Sequence, residues 1–314
     1  MRIHGICLVK NESDVIEECL TAAAAWCDRI YVFDNGSIDD TWEQVNKIAE
    51  RLPEVVPFKQ EDKPFHDSLR AEVFQMFRTE CASDDWWCIL DADEFYIDDP
   101  RLFLAKVPPM QGLVWAASFS YYFTDKDAER YRRDPEAYSN IVPVSDKCRY
   151  YLNHWSEIRF FRHHRSMRWD GTAHPGEIYG WQSYPVRIWV KNCPYRSPEQ
   201  IQKRLIARSS AVTNGQFLHE ALPEWASVID PERMRSNGRE EAMRQAGPGH
   251  VAASWEERVV DASKLNFDAH DRRFVVNEDL MPPIPSPMTG IRRTRNAAVD
   301  RARAVKKLLN RPGS

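Results

Sequence analysis

Two carboxylates two residues apart, Asp91 and Asp93, follow the bulky apolar run Trp86-Trp87-Cys88-Ile89-Leu90. On an extended segment, positions i and i+2 point to the same side, about 6.5–7 Å apart along the strand, and Ala92 faces away. Like charges held that close repel by a few kcal/mol at the effective dielectric of a protein surface. A hard cation such as Mg²⁺ or Mn²⁺ removes the conflict, and such an ion takes one or two carboxylates together with substrate phosphates. The triplet therefore predicts a metal–diphosphate site at the carboxyl end of a buried strand, with a plain acidic turn as the alternative.

The elements that must position this pair alternate between short apolar runs and helical patterns, which predicts βαβ units and an α/β fold with a mainly parallel sheet. Ile3–Val9 is a strand, followed by a helix over Asp14–Ala25 with Val15, Ile16, Cys19, Leu20 and Ala23 on one face. Arg29–Phe33 is the next strand, ended by the turn Asp34-Asn35-Gly36-Ser37. Ser37 with Asp40 resembles a capping box for a helix that buries Val45, Ile48 and Leu52. Val55–Lys59 is a third strand, and a third helix over Ser68–Cys81 turns Leu69, Val73, Met76 and Phe77 inward. Further strands are expected at Leu113–Phe123, Glu157–Arg162 and Val186–Val190, with a loop over the site at Asp125–Asp146. Ser197-Pro198-Glu199-Gln200 starts a helix. Met281–Pro287 reads as an extended linker before a basic helix over Ile291–Asn310.

Open parallel sheets bind ligands beyond the carboxyl ends of their strands. Lys10-Asn11-Glu12 follows the first strand, Asp34 the second, Asp62 the third and Asp91-Ala92-Asp93 the fourth. Arg70, early in the third helix, has the planar fork that holds a diphosphate. The 314 residues carry a net charge of −4, which gives no reason to expect nucleic acid as a partner. Seven cysteines without a CxxC pair do not form a disulfide framework. No stretch has the apolar length of a membrane span, and the first residues are too short an apolar run for a signal peptide. The expected location is the cytoplasm.

Leu8-Val9-Lys10-Asn11-Glu12, Val32-Phe33-Asp34-Asn35-Gly36-Ser37-Ile38-Asp39-Asp40-Thr41, Arg70 and Leu90-Asp91-Ala92-Asp93-Glu94-Phe95 together resemble glycosyltransferase family 2, inverting sugar transferases of the GT-A fold. The resemblance is clearest over residues 1–105 and rests on the order of the motifs. It implies a GT-A sheet flanked by helices with a C-terminal helical extension, a nucleotide-sugar donor, and a glycan or glycolipid acceptor. By the same resemblance Asp34 contacts the nucleobase, most often uracil, and Asp62 lies near base or ribose. Val9, Asn11, Glu12 and Ala92 complete the nucleotide contacts, and Arg70 neutralises the diphosphate. Asp91 and Asp93 form the DxD site for Mn²⁺ or Mg²⁺, with Asp93 the more direct ligand.

Arg159-Phe160-Phe161-Arg162, followed by Trp169-Asp170-Gly171-Thr172-Ala173-His174-Pro175-Gly176-Glu177, resembles the family more loosely, and His174 is a candidate third metal ligand or acceptor contact. Relatives often read His-Tyr-Pro-x-Arg-Ser where this chain has Asn192-Cys193-Pro194-Tyr195-Arg196-Ser197, so the family's His is an Asn here. Arg196 and Lys203 are expected to reach the phosphates. An inverting transfer needs a carboxylate to deprotonate the acceptor hydroxyl; Asp170 is the first candidate and Glu177 the second. His163-His164 has no metal-ligand spacing and reads as surface. The expected division is 1–110 for the nucleotide-sugar half, 111–215 for the acceptor half, 216–280 for a helical extension and 281–314 for linker and basic tail. That tail gives a peripheral membrane contact as a further expectation. The alternatives are a haloacid dehalogenase-type phosphatase, which also places DxD after an apolar strand, and a non-catalytic sugar- or nucleotide-binding protein on a transferase fold.

Overall fold

The computed structural model describes residues 1–171, 179–213 and 259–285. In chain order the elements are β1 (Ile3–Val9), α1 (Ile16–Ala24), β2 (Arg29–Asp34), α2 (Thr41–Arg51), β3 (Val55–Gln60), α3 (Ser68–Phe77), β4 (Trp86–Leu90) and β5 (Glu94–Tyr96). They continue with α4 (Pro100–Leu104), β6 (Gln111–Thr124), α5 (Asp125–Arg133), α6 (Val144–Lys147), β7 (Tyr150–Arg162), β8 (Gln182–Ser183), β9 (Ile188–Asn192), α7 (Pro198–Thr213), β10 (Val259–Val260) and β11 (Asn266–Phe267).

The strands join one mixed, mainly parallel sheet in the order β3-β2-β1-β4-β7-β6-β9-β5. The first four run parallel, so the carboxyl ends of β1, β2, β3 and β4 share one edge. β7 pairs antiparallel with both β4 and β6, while β9 is parallel to β6. Alternation along β1 explains the layering. Ile3, Cys7 and Val9 face α1 and α2, while Ile6 and Leu8 face α3. The α3 layer is aromatic: Trp87 packs against Phe74 with ring centroids 5.1 Å apart, and each fully buried large apolar side chain contributes roughly 1.5–3 kcal/mol. The α/β architecture expected from the sequence is the one observed.

Three local expectations change. Ser37 does not cap α2: its hydroxyl accepts from the Asn11 N–H at 2.8 Å, and Asp39 instead accepts from the Thr41 N–H at 3.1 Å. Residues 125–146 are not a long loop. Thr124 and Asp127 form a reciprocal capping box that starts α5, and Tyr138 packs inward beyond it. Met76 faces solvent, and Leu69, Ala71, Val73 and Phe74 form the buried stripe of α3. Of the segment expected to extend the chain with helices, 216–258 lies outside the described residues, and 259–280 adds β10, β11 and 3₁₀ turns against β6 and β7. Met281 is buried in a core cluster, and the Pro282 carbonyl accepts from Arg187 at 2.6 Å, so the start of the expected linker is docked. The basic tail lies outside the described residues. Among the described residues no helix is long and apolar enough to cross a membrane.

His163 is also not at the surface. It is buried at the end of β7, where its Nδ1 accepts from the Trp87 indole N–H at 3.2 Å. Burial lowers its pKa to about 4, and that hydrogen bond requires the neutral ring. Between about 4 and the ordinary value near 6.5 the unfolded chain binds the extra proton, so stability falls as pH drops through that window. The loss is expected to reach about 3 kcal/mol. Urea melts at pH 7 and pH 4.5 will show a smaller difference for His163→Gln than for the wild type.

Candidate active site

At the carboxyl edge of the sheet, Asp34 ends β2 and is completely buried. One carboxylate oxygen, Oδ1, accepts from the Ser37 N–H at 2.7 Å, while Oδ2 has no partner among the described residues. Around it the backbone is tightly folded. Asn11 adopts a left-handed conformation (φ 55°), and its side-chain oxygen accepts from the Ile38 N–H at 2.8 Å. Gly36 (φ 75°) lies so close to Asp62 that a Cβ there would fall 2.5 Å from the Asp62 Cβ. Asp62 is otherwise exposed and pairs with Lys10 at 2.9 Å. Val9 is buried and contributes its carbonyl, which accepts from the Asn35 N–H at 2.8 Å.

Asp91 and Asp93 lie in a turn between β4 and β5, closed by the Glu94 N–H donating to the Asp91 carbonyl at 3.1 Å. The extended pairing expected from the sequence is therefore not formed, and each carboxylate meets a different cation. Asp91 accepts from Arg70 at 2.6 Å through Oδ1 and from Arg159 at 2.9 Å through Oδ2. Burial pulls its pKa upward, but the two guanidiniums hold the carboxyl well below the usual carboxylate range. Among the described residues, the cation within ion-pair distance of the Asp93 carboxylate is Arg204, at 4.0 Å. Ala92 is buried on the core side.

The sequence reading gave Arg159 no role of its own, yet it is the hub of this edge. Besides Asp91 it donates to Glu94 at 2.5 Å and to Glu157 at 2.8 Å. Burial pushes the Glu94 carboxyl well up, and the neighbouring carboxylates add to that effect against the pull of Arg159. The Nε–H groups of both Arg70 and Arg159 are buried donors without a partner among the described residues.

Arg196, expected at the phosphates, is instead a completely buried clamp. It donates to Asp14 through Nε and one terminal nitrogen, each at 2.8 Å, to Glu12 at 2.5 Å, and to the Cys193 carbonyl at 2.9 Å. Glu12 is thus tied to Arg196, and its N–H to Thr41 at 2.9 Å. Burial raises the Glu12 pKa to about 7, opposed by Arg196 and assisted by the Asp93 and Asp14 carboxylates. Lys203 is exposed on α7. Nothing in the sequence pattern marked Asp14 as a partner 182 residues away.

Asp170 is exposed in the segment Trp169-Asp170-Gly171, which docks on α3 at Ser68 and Gln75. The Trp169 carbonyl accepts from Gln75 at 2.7 Å, and Gly171 (φ 83°) would place a Cβ 2.4 Å from the Ser68 Cα. Gly171→Ala is therefore expected to cost about 2–4 kcal/mol and to displace Asp170. Thermal melts together with initial rates will check both effects. His174 and Glu177 lie outside the described residues.

The donor set suits a hard cation. Among the described residues no group of three metal-ligating side chains exists; at this edge the carboxylates an ion could use are Asp93 and, if its guanidiniums release it, Asp91. That is the pattern of an ion completed by substrate phosphates. The phosphatase alternative would need an Asp91 oxygen open for nucleophilic attack, and both are hydrogen-bonded to arginine.

A family model described as Glycosyl transferase family 2 matches residues 6–172. No curated protein matches the chain. Among solved structures, the mannosyltransferase PcManGT from Pyrobaculum calidifontis in complex with GDP-Man and Mn²⁺ is 15% identical, with 84% of this chain and 86% of that chain covered and a TM-score of 0.37. TarS 1-349 from S. aureus is 12% identical, with 83% and 81% covered and a TM-score of 0.32. Glucosyl-3-phosphoglycerate synthase from Mycobacterium tuberculosis, in complex with Mn²⁺, UDP and glucosyl-3-phosphoglycerate, is 17% identical, with 51% and 56% covered and a TM-score of 0.27. These likenesses are too distant to transfer a substrate.

Proposed function

The chain belongs to glycosyl transferase family 2, and from that membership we propose a metal-dependent, inverting transfer of a sugar from a nucleoside diphosphate to a hydroxyl of a glycan or glycolipid, with a uridine nucleotide the first donor to test. The observation that carries this reading is a pair of complementary orphans on one edge of the sheet. Among the described residues, Asp34 Oδ2 is a buried acceptor without a donor and Arg70 Nε a buried donor without an acceptor. A nucleobase N–H satisfies the first and a diphosphate oxygen the second, and leaving either group buried and unpaired costs about 1–3 kcal/mol.

Each residue then has a task. Asp34 accepts from the base, within the frame set by Asn11 and Gly36. Arg70, steered by Asp91, donates to the diphosphate as negative charge builds on the leaving group. Asp93 would hold Mn²⁺ or Mg²⁺, which when bound neutralises that same charge. Asp170 takes the proton from the attacking hydroxyl as the bond to the anomeric carbon forms on the opposite face.

The test is thermal stabilisation by a panel of nucleoside diphosphates, each with and without Mn²⁺. One nucleotide should raise the melting temperature in a metal-dependent way, and Asp34→Ala should weaken its binding about tenfold or more. Absence of a shift with every nucleotide would overturn the reading.

A further inference from the structure

A cavity of about 300 Å³ lies behind the Asp91–Asp93 turn, on the α1 side of the sheet. Cys193, which lines it, donates its N–H to the Asp93 carbonyl at 2.8 Å, so the cavity and the turn share one layer of backbone. The cavity is outside the cleft that holds Asp34 and Arg70, and its volume is at the lower end of small-molecule sites.

Its walls combine aromatic rings with cations. Phe95, Tyr96, Tyr121 and Phe274 supply the rings. Lys191 lies 5.5 Å from the Tyr121 ring centroid and 5.4 Å from that of Phe274, and donates to Asp268 at 2.6 Å. Asp268 also accepts from the Tyr121 hydroxyl and the His270 N–H, and Glu18 accepts from the Val144 N–H, so both carboxylates are occupied. Ser145 is turned to Asp146 at 3.2 Å, and the other basic side chains of the lining are His270 and Arg272, both solvent-exposed. Both have left-handed backbone (φ 58° and 61°), a conformation that costs a residue with a Cβ about 1 kcal/mol or more. The flanks of this loop are fixed: the Asp268 N–H donates to the Arg149 carbonyl at 2.8 Å, and the Val275 N–H to the Tyr151 hydroxyl at 2.9 Å. The Arg272 guanidinium has no acceptor among the described residues.

We propose that this cavity binds a monosaccharide-sized anion, its ring against Phe95 and Phe274 and its phosphate or carboxylate on Arg272 and His270. The choice of a sugar rests on the transferase reading above; the anionic group rests on the cavity alone. A carboxylate or phosphate pairs with the guanidinium fork through two parallel hydrogen bonds, and the aromatic walls exclude water from the ring.

Calorimetric titration of the full chain with glucose 6-phosphate, glucuronate, glucose and inorganic phosphate tests it. At least one anionic sugar should bind about tenfold or more tightly than glucose and inorganic phosphate, the loss expected when a charge-assisted pair or the ring is missing. Glucose 6-phosphate alone marks a phosphate ligand and glucuronate alone a carboxylate; either supports the site. Arg272→Gly relaxes the left-handed backbone, so weaker binding in that variant cannot come from unfolding; it should lose about tenfold in affinity, with Arg272→Lys in between. Nucleoside diphosphate stabilisation with Mn²⁺, measured on the same samples, should be unchanged in both, which separates failure here from failure of the donor site. No binding of either anionic sugar, inorganic phosphate binding as tightly as the sugar phosphate, unaltered binding in Arg272→Gly, or displacement by the nucleotide would overturn the proposal.

Discussion

Asp93→Asn is expected to lower turnover by a factor on the order of 10²–10³, the usual cost of removing one electrostatic contact that strengthens in the transition state. The same variant should lose the Mn²⁺-dependent part of nucleotide stabilisation and keep the metal-independent part contributed by Asp34. The reason is the division of labour within the turn. Asp91 has both oxygens on guanidiniums, whereas Asp93 has one cation at the limit of ion-pair distance. Asn keeps the size of the side chain and removes the charge, so fold stability should change little. Asp91→Asn offers the contrast: it should loosen Arg70 and Arg159 together, raising KM for the nucleotide as well as lowering kcat. Rates against Mn²⁺ concentration distinguish the two variants, since added metal partly rescues a weakened ligand set but not a displaced arginine. Equal loss in both variants, with unchanged metal dependence, would show that Asp93 is not the ligand.

The parts of this edge that sequence revealed are those set by local pattern. The apolar run before Asp91, the turn after Asp34 and the helical phase of Arg70 are all written within about ten residues of chain, and periodicity places them at strand ends. The curvature of that turn was not legible, because an i, i+2 argument assumes that the strand continues. β4 stops at Leu90, and β5 begins again at Glu94 to pair with β9 near residue 192. The long-range partners were not legible either. Arg159 meets Asp91 because β7 lies antiparallel beside β4, a neighbour relation fixed only by the completed sheet. Arg196 reads in sequence as one more basic residue ahead of a helix, and only its complete burial between Asp14 and Glu12 shows it to be structural. In each case the residue type was informative and the partner was not, because a cation suits a phosphate and a carboxylate equally well.

The same ambiguity explains why the largest stability effect is expected at a residue that local pattern does not single out. Arg159→Met removes, among the described residues, the only cation bound to Glu94 and one of the two bound to Asp91, and leaves both carboxylates in place. Breaking a buried pair by deleting one partner typically costs about 3–5 kcal/mol, more than deleting the whole pair, because the stranded charge remains desolvated. The double variant Arg159→Met with Glu94→Gln should therefore recover part of the loss, since Glu94 is the carboxylate that burial already drives toward its neutral form. Asp91 keeps Arg70 in both variants, so nucleotide binding should weaken less than stability does. Urea denaturation of the two single variants and the double gives the coupling energy directly. Additive losses would mean that Arg159 and Glu94 act independently, and the hub assigned to this edge of the sheet would not exist.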